Sequence, residues 1–292
     1  MMTLTRKFNQ ICAQKYQPLG FIRSKSTFAR IVGDVIQSFS LKFYRGAPVC
    51  TVEFQISPLC LPQPFYLEGG IYELDQFIVD QQIGGHGWNY NRLSDESINN
   101  CVTSLSNAID LYLLPFFEMC RDCETTLMGC MRLEEVFDCN RRKRLQLMGE
   151  ADLAAPWQER SLFDYRKFYM ALKSCNLSYA CQYLKHQINH CKTAVERFDK
   201  PNSPKQPEGV KERFLAKLSM ESEKLQWLES GDLGKFDDLL NTNERQMQEF
   251  LASNYPKLLE RSTGDDSVRR DNGDKGTVLP SPDGDPIQRP IE

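Results

Sequence analysis

Apolar and polar positions alternate along two stretches near the start of the chain, residues 35–44 and 49–56. The apolar positions that share a face are Val35, Phe39, Leu41 and Phe43 in the first stretch, and Cys50, Val52, Phe54 and Ile56 in the second. A period of two predicts β-strands with one buried face and one face open to water. We expect no nucleophile, no paired acids and no metal cluster on the wet face, so the predicted sheet carries no chemistry of its own.

The segments around these strands predict an α+β domain in residues 1–118. Two more strands are predicted at residues 27–32 and 65–72, and the short links between the four strands favour antiparallel neighbours. One helix is predicted before the strands and another from Ser94, a suitable N-cap, towards Tyr112. The predicted fold is therefore a four-stranded antiparallel sheet with flanking helices.

Residues 119–260 predict an all-α region, because the sequence from Leu172 to Leu177 recurs in similar form from Leu228 to Leu233. In each copy a helix ends and a Ser-x-Asn or Ser-x-Asp turn begins the next helix, as in helical-hairpin repeats. We therefore expect two weakly related αα-hairpins. The last segment, residues 261–292, has few apolar residues and is expected to be a disordered tail.

Charge and composition limit the classes of partner. The 292-residue chain has a formal charge of -3 and a pI of about 5.8, which argues against nucleic acid and anionic membranes. Its apolar runs are far shorter than the roughly 20 residues of a membrane span, and its first residues lack the apolar core of a signal peptide. Eleven scattered cysteines predict reduced thiols in a cytoplasmic protein. We expect no cofactor.

One set of residues would suit a metal ion. Cys120 and Cys123 have the C-x-x-C spacing of a zinc half-site or a redox pair, and His186 and His190 are one helical turn apart. A long stretch of chain separates the two pairs, and nothing in the sequence requires them to meet. Packing and surface roles are therefore favoured, and a metal site is the alternative.

Four further residues are candidates for binding. His86 lies in a glycine-rich loop, residues 84–88, but a polar stretch follows the loop and it has no lysine, so an ordinary loop is favoured over a phosphate site. Tyr179, Tyr183 and Trp227 lie on or beside the two repeated turns. Aromatic side chains are enriched at interfaces, and the alternative is that these three pack one hairpin against the other.

The first part of the chain resembles a known family. The residues that carry the resemblance are Leu19-Gly20-Phe21, the aromatic-x-Arg step from Phe28 to Arg30, the strand from Thr51 to Leu59, and the step from Phe65 to Gly70. They are similar to the bacterial domain of unknown function 4304, over about residues 3–130. The resemblance implies a bacterial α+β domain often accompanied by helices, and an association with toxin–immunity and phage-defence neighbourhoods. It implies no catalytic or binding residues.

Two classes of function agree with these patterns. The favoured class is a non-catalytic protein-binding module, of the immunity type or a phage-defence accessory, whose partner is a protein. The alternative is a metal-dependent protein or enzyme that uses Cys120 and Cys123 with His186 and His190, or the His86 loop. The acidic charge, the predicted open sheet face and the helical hairpins favour the first class.

Overall fold

The computed structural model of the chain describes residues 3–62, 70–77, 87–147, 164–198 and 209–262. It confirms the α+β class, since an antiparallel sheet with flanking helices is followed by a helical region. Most of the predicted tail lies outside the described residues. The tail does not begin at Arg261 as predicted, because the last described helix continues to Ser262.

The sheet has six strands within the described residues. They are β1 (Ile22–Ser24), β2 (Thr27–Val32), β3 (Val35–Phe43), β4 (Val49–Pro58), β5 (Tyr72–Glu73) and β6 (Trp88–Asn89). The order is β1-β2-β3-β4-β5, and β6 also pairs with β4. The three long strands that were predicted are present as β2, β3 and β4. β1 and β6 were not predicted, because two or three residues are too few to display a period of two.

The described helices complete the architecture. They are α1 (Leu4–Tyr16), α2 (Asp95–Ala108), α3 (Leu114–Met119), α4 (Cys123–Leu147), α5 (Tyr165–Lys173), α6 (Leu177–Phe198), α7 (Val210–Ser230), α8 (Gly234–Asn254) and α9 (Pro256–Ser262). A π-helical turn, Ile109–Leu113, joins α2 to α3, and a short 3-10 turn, Leu74–Phe77, follows β5. Ser94 caps α2 as predicted, since its hydroxyl accepts from the backbone N–H of Ser97 at 3.1 Å. None of the helices in the described ranges is long and apolar enough to cross a membrane.

The chain divides into two compact units. The described residues of the sheet unit are 3–57, 70–147 and 250–262, and those of the helical unit are 58–62, 164–198 and 209–249. The division differs from the linear one predicted at residue 118, because α4 and α9 belong with the sheet. α4 packs against α3 and the 3-10 turn, and α9 packs against β2.

Aromatic side chains fill the core of the sheet unit. Phe54 on β4 is fully buried, and its ring lies 5.5–6.1 Å from the rings of Tyr72, Phe77, Phe116 and Phe117. Burying each such side chain contributes about 1.5–3 kcal/mol to stability. This core fixes which face of the sheet is apolar, and therefore which side chains of β3, β4 and β5 share the opposite, polar face.

The two repeated turns of the helical unit have the same backbone geometry. Cys175 follows α5 with φ +56°, and Gly231 occupies the equivalent position after α7 with φ +72°. After each of these residues a backbone N–H reaches back to the preceding helix, from Asn176 to Ala171 O and from Asp232 to Trp227 O. The two predicted hairpins correspond to α5–α6 and α7–α8 through these turns, whereas the most extensive helix packing of the unit is between α6 and α7, which belong to different hairpins.

Candidate functional site

The polar face of the sheet is largely buried, and the expectation that it is open to water is wrong for most of it. The buried polar residues on this face include Ser38, Ser40, Thr51, Gln55 and Ser57. Part of the cover comes from α9, which packs on β2. Another part is the 3-10 turn, whose Asp75 accepts a hydrogen bond from the Thr51 hydroxyl at 2.8 Å.

Two acids do face each other on this side of the sheet, which corrects the expectation of none. Glu53 on β4 and Glu73 on β5 are direct cross-strand partners. The pair was not predicted, because the predicted strand ended at residue 72 and β5 includes Glu73. We call the group of Lys42, Glu53, Glu73 and Asp75 the acidic cluster.

Hydrogen bonds hold each carboxylate of the acidic cluster in place. The Lys42 ammonium donates to Glu73 Oε1 at 2.6 Å, and the Tyr44 hydroxyl donates to Glu73 Oε2 at 2.7 Å. The Ser40 hydroxyl donates to Glu53 Oε1 at 3.0 Å. Every one of these contacts donates to a carboxylate oxygen, so the hydrogen bonds fix the positions of both acids.

The charges of the acidic cluster act together on Lys42. The hydrogen bond to Glu73 raises the pKa of Lys42, desolvation opposes this rise, and the negative charges of Glu73, Glu53 and Asp75 add to it. An ammonium with a raised pKa stays protonated at neutral pH and cannot act as a general base. The negative charges of three carboxyl groups surround this ammonium, so the cluster is suited to contact with a cationic group of another molecule rather than to moving protons.

Two of the predicted binding residues, Tyr179 and Tyr183, lie inside the helical unit. Tyr179 and Tyr183 on α6 are buried, and Tyr183 stacks on Phe168 of α5 with 5.1 Å between ring centres. Burial raises the pKa of Tyr183 well above its usual value. Buried rings that close a hairpin favour the packing interpretation for both tyrosines.

Trp227 is only partly exposed and closes the second hairpin in the same way. Its ring lies edge-on to Phe236 of α8 at 5.4 Å, and the Lys235 ammonium lies 5.3 Å from its ring centre. Each aromatic pair therefore joins the two helices of one hairpin, which is a more local role than packing one hairpin on the other. His86 lies outside the described residues.

The cysteine and histidine pairs lie in different units. Cys120 and Cys123 are buried between α3 and the start of α4, whereas His186 and His190 are on α6. In the parts of the chain that the structure describes, no three His, Cys, Asp or Glu side chains are grouped as a metal site requires. Burial raises the pKa of the Cys120 thiol well above its usual value, which disfavours the thiolate that binds zinc or reacts.

A further cluster at the π-helical turn has the residue types of a catalytic dyad. The Lys15 ammonium donates to Ser106 Oγ at 2.9 Å and to Asp110 Oδ2 at 2.6 Å. The Tyr16 hydroxyl donates to Asp110 Oδ1 at 2.9 Å. Because the Lys15 nitrogen donates to Ser106 Oγ, it is not placed to accept the proton of that hydroxyl, as the base of a dyad must. This cluster therefore joins α1 to the end of α2 and is structural.

Comparisons with family models, with curated proteins and with solved structures found no match to this chain. The resemblance to the domain of unknown function 4304 therefore stays a prediction. The acidic cluster is the candidate binding site, because it combines opposed acids with partial access to solvent.

Proposed function

We propose that this chain is a non-catalytic protein-binding module, and that the acidic cluster receives a cationic side chain of its protein partner. The observation that carries the proposal is the direct opposition of Glu53 and Glu73 on the polar face of the sheet, beside Lys42. Like charges in opposed positions of a sheet destabilise it. An arriving lysine or arginine of a partner would relieve that repulsion, so binding and relief of repulsion are coupled.

Access to solvent is graded across the cluster. Asp75 is buried, while the side chains of Lys42 and Glu73 are 38% and 23% exposed. A partner can therefore contact the side chains of Glu73 and Lys42 directly, whereas Asp75 contributes only its charge, because it is buried. Arginine is the better fit of the two cationic side chains, because its planar guanidinium binds carboxylates in a bidentate manner.

The charge of the whole chain supports the same class of partner. A net charge of -3 gives a weak negative field that favours the approach of a basic protein over an acidic one. The hydrogen bonds from Tyr44 and Ser40 hold Glu73 and Glu53 in fixed positions before the partner arrives. Such preorganisation reduces the entropy that binding would otherwise cost.

The biological role that we propose is that of an immunity-type protein or a phage-defence accessory in the bacterial cytoplasm. The support for this role is the resemblance of residues 3–130 to the domain of unknown function 4304. The cysteine content, which fits a reducing compartment, agrees with it. Both supports are independent of the acidic cluster, so the role and the binding site can be tested separately.

The experiment uses two variants that remove the same charge from different places. Glu53→Gln with Glu73→Gln neutralises the acidic cluster, and Glu124→Gln with Glu135→Gln neutralises two exposed acids on α4. Immobilised wild-type chain and the α4 variant should capture the same stoichiometric protein from the cells of origin, and the cluster variant should not. Capture by all three proteins, or by none, would contradict the proposal.

A further inference from the structure

Two buried cysteines of the sheet unit lie in contact although they are 51 residues apart in sequence. Cys50 on β4 and Cys101 on α2 have their sulfur atoms 3.6 Å apart, and both side chains are buried. Cys50 also lies opposite Trp88 of β6, and its thiol is 3.7 Å from the Trp88 carbonyl oxygen. The central strand of the sheet and the helix that covers it therefore meet through two sulfurs.

We propose that Cys50 and Cys101 are a peroxide-sensitive pair that closes into a disulfide and locks β4 to α2. All eleven cysteines of the described structure are free thiols. A disulfide needs about 2.05 Å between its sulfurs, so the two atoms have to approach by roughly 1.5 Å. Rotation of two side chains and a small shift of α2 provide an approach of this size without unpairing β4.

The two thiols have different roles in the reaction. The Cys50 thiol donates to the Trp88 carbonyl oxygen at 3.7 Å, and a carbonyl oxygen beside a sulfur disfavours a thiolate there. Cys101 is therefore the thiolate that attacks, and the direction of its pKa, which the contact with Cys50 lowers, agrees. It displaces hydroxide from hydrogen peroxide and becomes a sulfenic acid. The Cys50 sulfur then attacks the Cys101 sulfur, the S–S bond forms, and the sulfenic oxygen leaves as water with the Cys50 proton.

Burial selects the oxidant. Cys50 and Cys101 are almost fully covered by neighbouring side chains. The proposed access route therefore admits a small oxidant such as hydrogen peroxide and excludes a bulky disulfide such as oxidised glutathione. The pair should therefore respond to peroxide and resist disulfide exchange.

The wild-type chain tests the proposal without any variant. The reduced protein is treated with hydrogen peroxide, its remaining thiols are alkylated, and its peptides are mapped by mass spectrometry. We expect a loss of two protons per chain and one cross-linked peptide pair containing Cys50 and Cys101. We also expect a rise in the thermal midpoint that dithiothreitol reverses, because a closed loop restricts the unfolded chain. A dominant cross-link between other cysteines, or none, would overturn the proposal.

Matched variants separate the pair from general oxidation. Cys50→Ser and Cys101→Ser should each abolish the cross-link, and Cys50→Ser should leave a sulfenic acid on Cys101 that dimedone traps. Cys12→Ala removes another fully buried thiol of the same unit and should leave the cross-link and the midpoint shift unchanged. Oxidised glutathione should produce less than a tenth of the cross-link that peroxide produces in the same time. Equal yields with the two oxidants would contradict the proposed access route.

Discussion

Arg30 is a charged side chain held almost entirely inside the sheet unit. Its guanidinium donates to Gln37 Oε1 at 2.7 Å, to the Leu19 carbonyl at 3.0 Å and to Glu118 Oε1 at 2.7 Å. It also lies over the Phe21 ring, 4.6 Å from its centre. A buried charge is tolerated only when its donors are satisfied. These contacts join β2, β3, α3 and the segment that follows α1 around one cation.

Replacing Glu118 by Gln should make the stability of the chain less dependent on pH. Burial raises the pKa of Glu118, but the hydrogen bonds and charges of Arg30 and Arg121 outweigh it, so the pKa lies below its usual value of 4.5. A lowered folded-state pKa stabilises the fold above pH 4.5, and this contribution is lost as the pH falls through the folded pKa. Because Glu118 is 39% exposed and partly screened by solvent, we expect a loss of only about 1 kcal/mol at pH 7.

Urea unfolding at pH 7 and at pH 3 measures this effect. The difference between wild type and Glu118→Gln should be largest at pH 7 and smaller at pH 3, because the stabilisation by the carboxylate is lost as the pH falls. Glu135→Gln, an exposed acid on α4, is the control and should match the wild type at both pH values. A difference of the same size at both pH values would contradict the role of the Glu118 charge.

At the scale of elements, the sequence determined the long strands and the repeated turns better than the contacts between them. The alternation in β3 and β4 is visible because each strand has nine or ten residues. The acid pair was invisible because it depends on a strand of two residues, β5, and on a register that no local pattern encodes. The partners of Arg30 were equally hidden, since Glu118 lies 88 residues further along the chain. The acid pair and the partners of Arg30 depend on tertiary contacts, whereas the long strands are recognisable from local periodicity.

Within the first hairpin, replacing a buried tyrosine and replacing an exposed tyrosine should change stability by different amounts. Tyr183→Ala removes a buried ring that stacks on Phe168 and should lower the free energy of unfolding by about 3–5 kcal/mol. Tyr165→Ala removes an exposed ring on α5 and should change it by less than about 0.5 kcal/mol. Chemical unfolding followed by circular dichroism measures both values. A stable Tyr183→Ala protein would favour the interface interpretation of this residue over packing.

Helix α9 should contribute to the stability of the sheet unit. Leu258 is buried and lines a cleft of about 190 Å³ with Ile22 and Ala29, and Arg261 donates to the Gln17 carbonyl at 3.1 Å. Leu258→Ala should therefore lower the free energy of unfolding by about 2–4 kcal/mol. Lys257→Ala, on the exposed side of the same helix, should have little effect in the same unfolding experiment. Equal effects of the two variants would show that α9 does not pack through Leu258.

In the whole molecule, the sheet has an apolar face that builds the core and a polar face that holds the acidic cluster. The apolar face explains the stability of the sheet unit through its cluster of aromatic rings. The polar face combines opposed acids, one lysine with a raised pKa and partial exposure. The central claim is that this charge is retained to bind a cationic group of a protein partner.

Calorimetric titration of the captured partner, purified and added to each version of the chain, tests this claim most directly. The wild type and the Glu124→Gln, Glu135→Gln variant should bind with dissociation constants within twofold of each other. The Glu53→Gln, Glu73→Gln variant should bind at least 30-fold more weakly, since losing charged partners at an interface costs about 2 kcal/mol or more. Equal weakening by both variants would show that the net charge of the chain, and not the acidic cluster, determines the affinity. Equal affinity of all three proteins would contradict the claim.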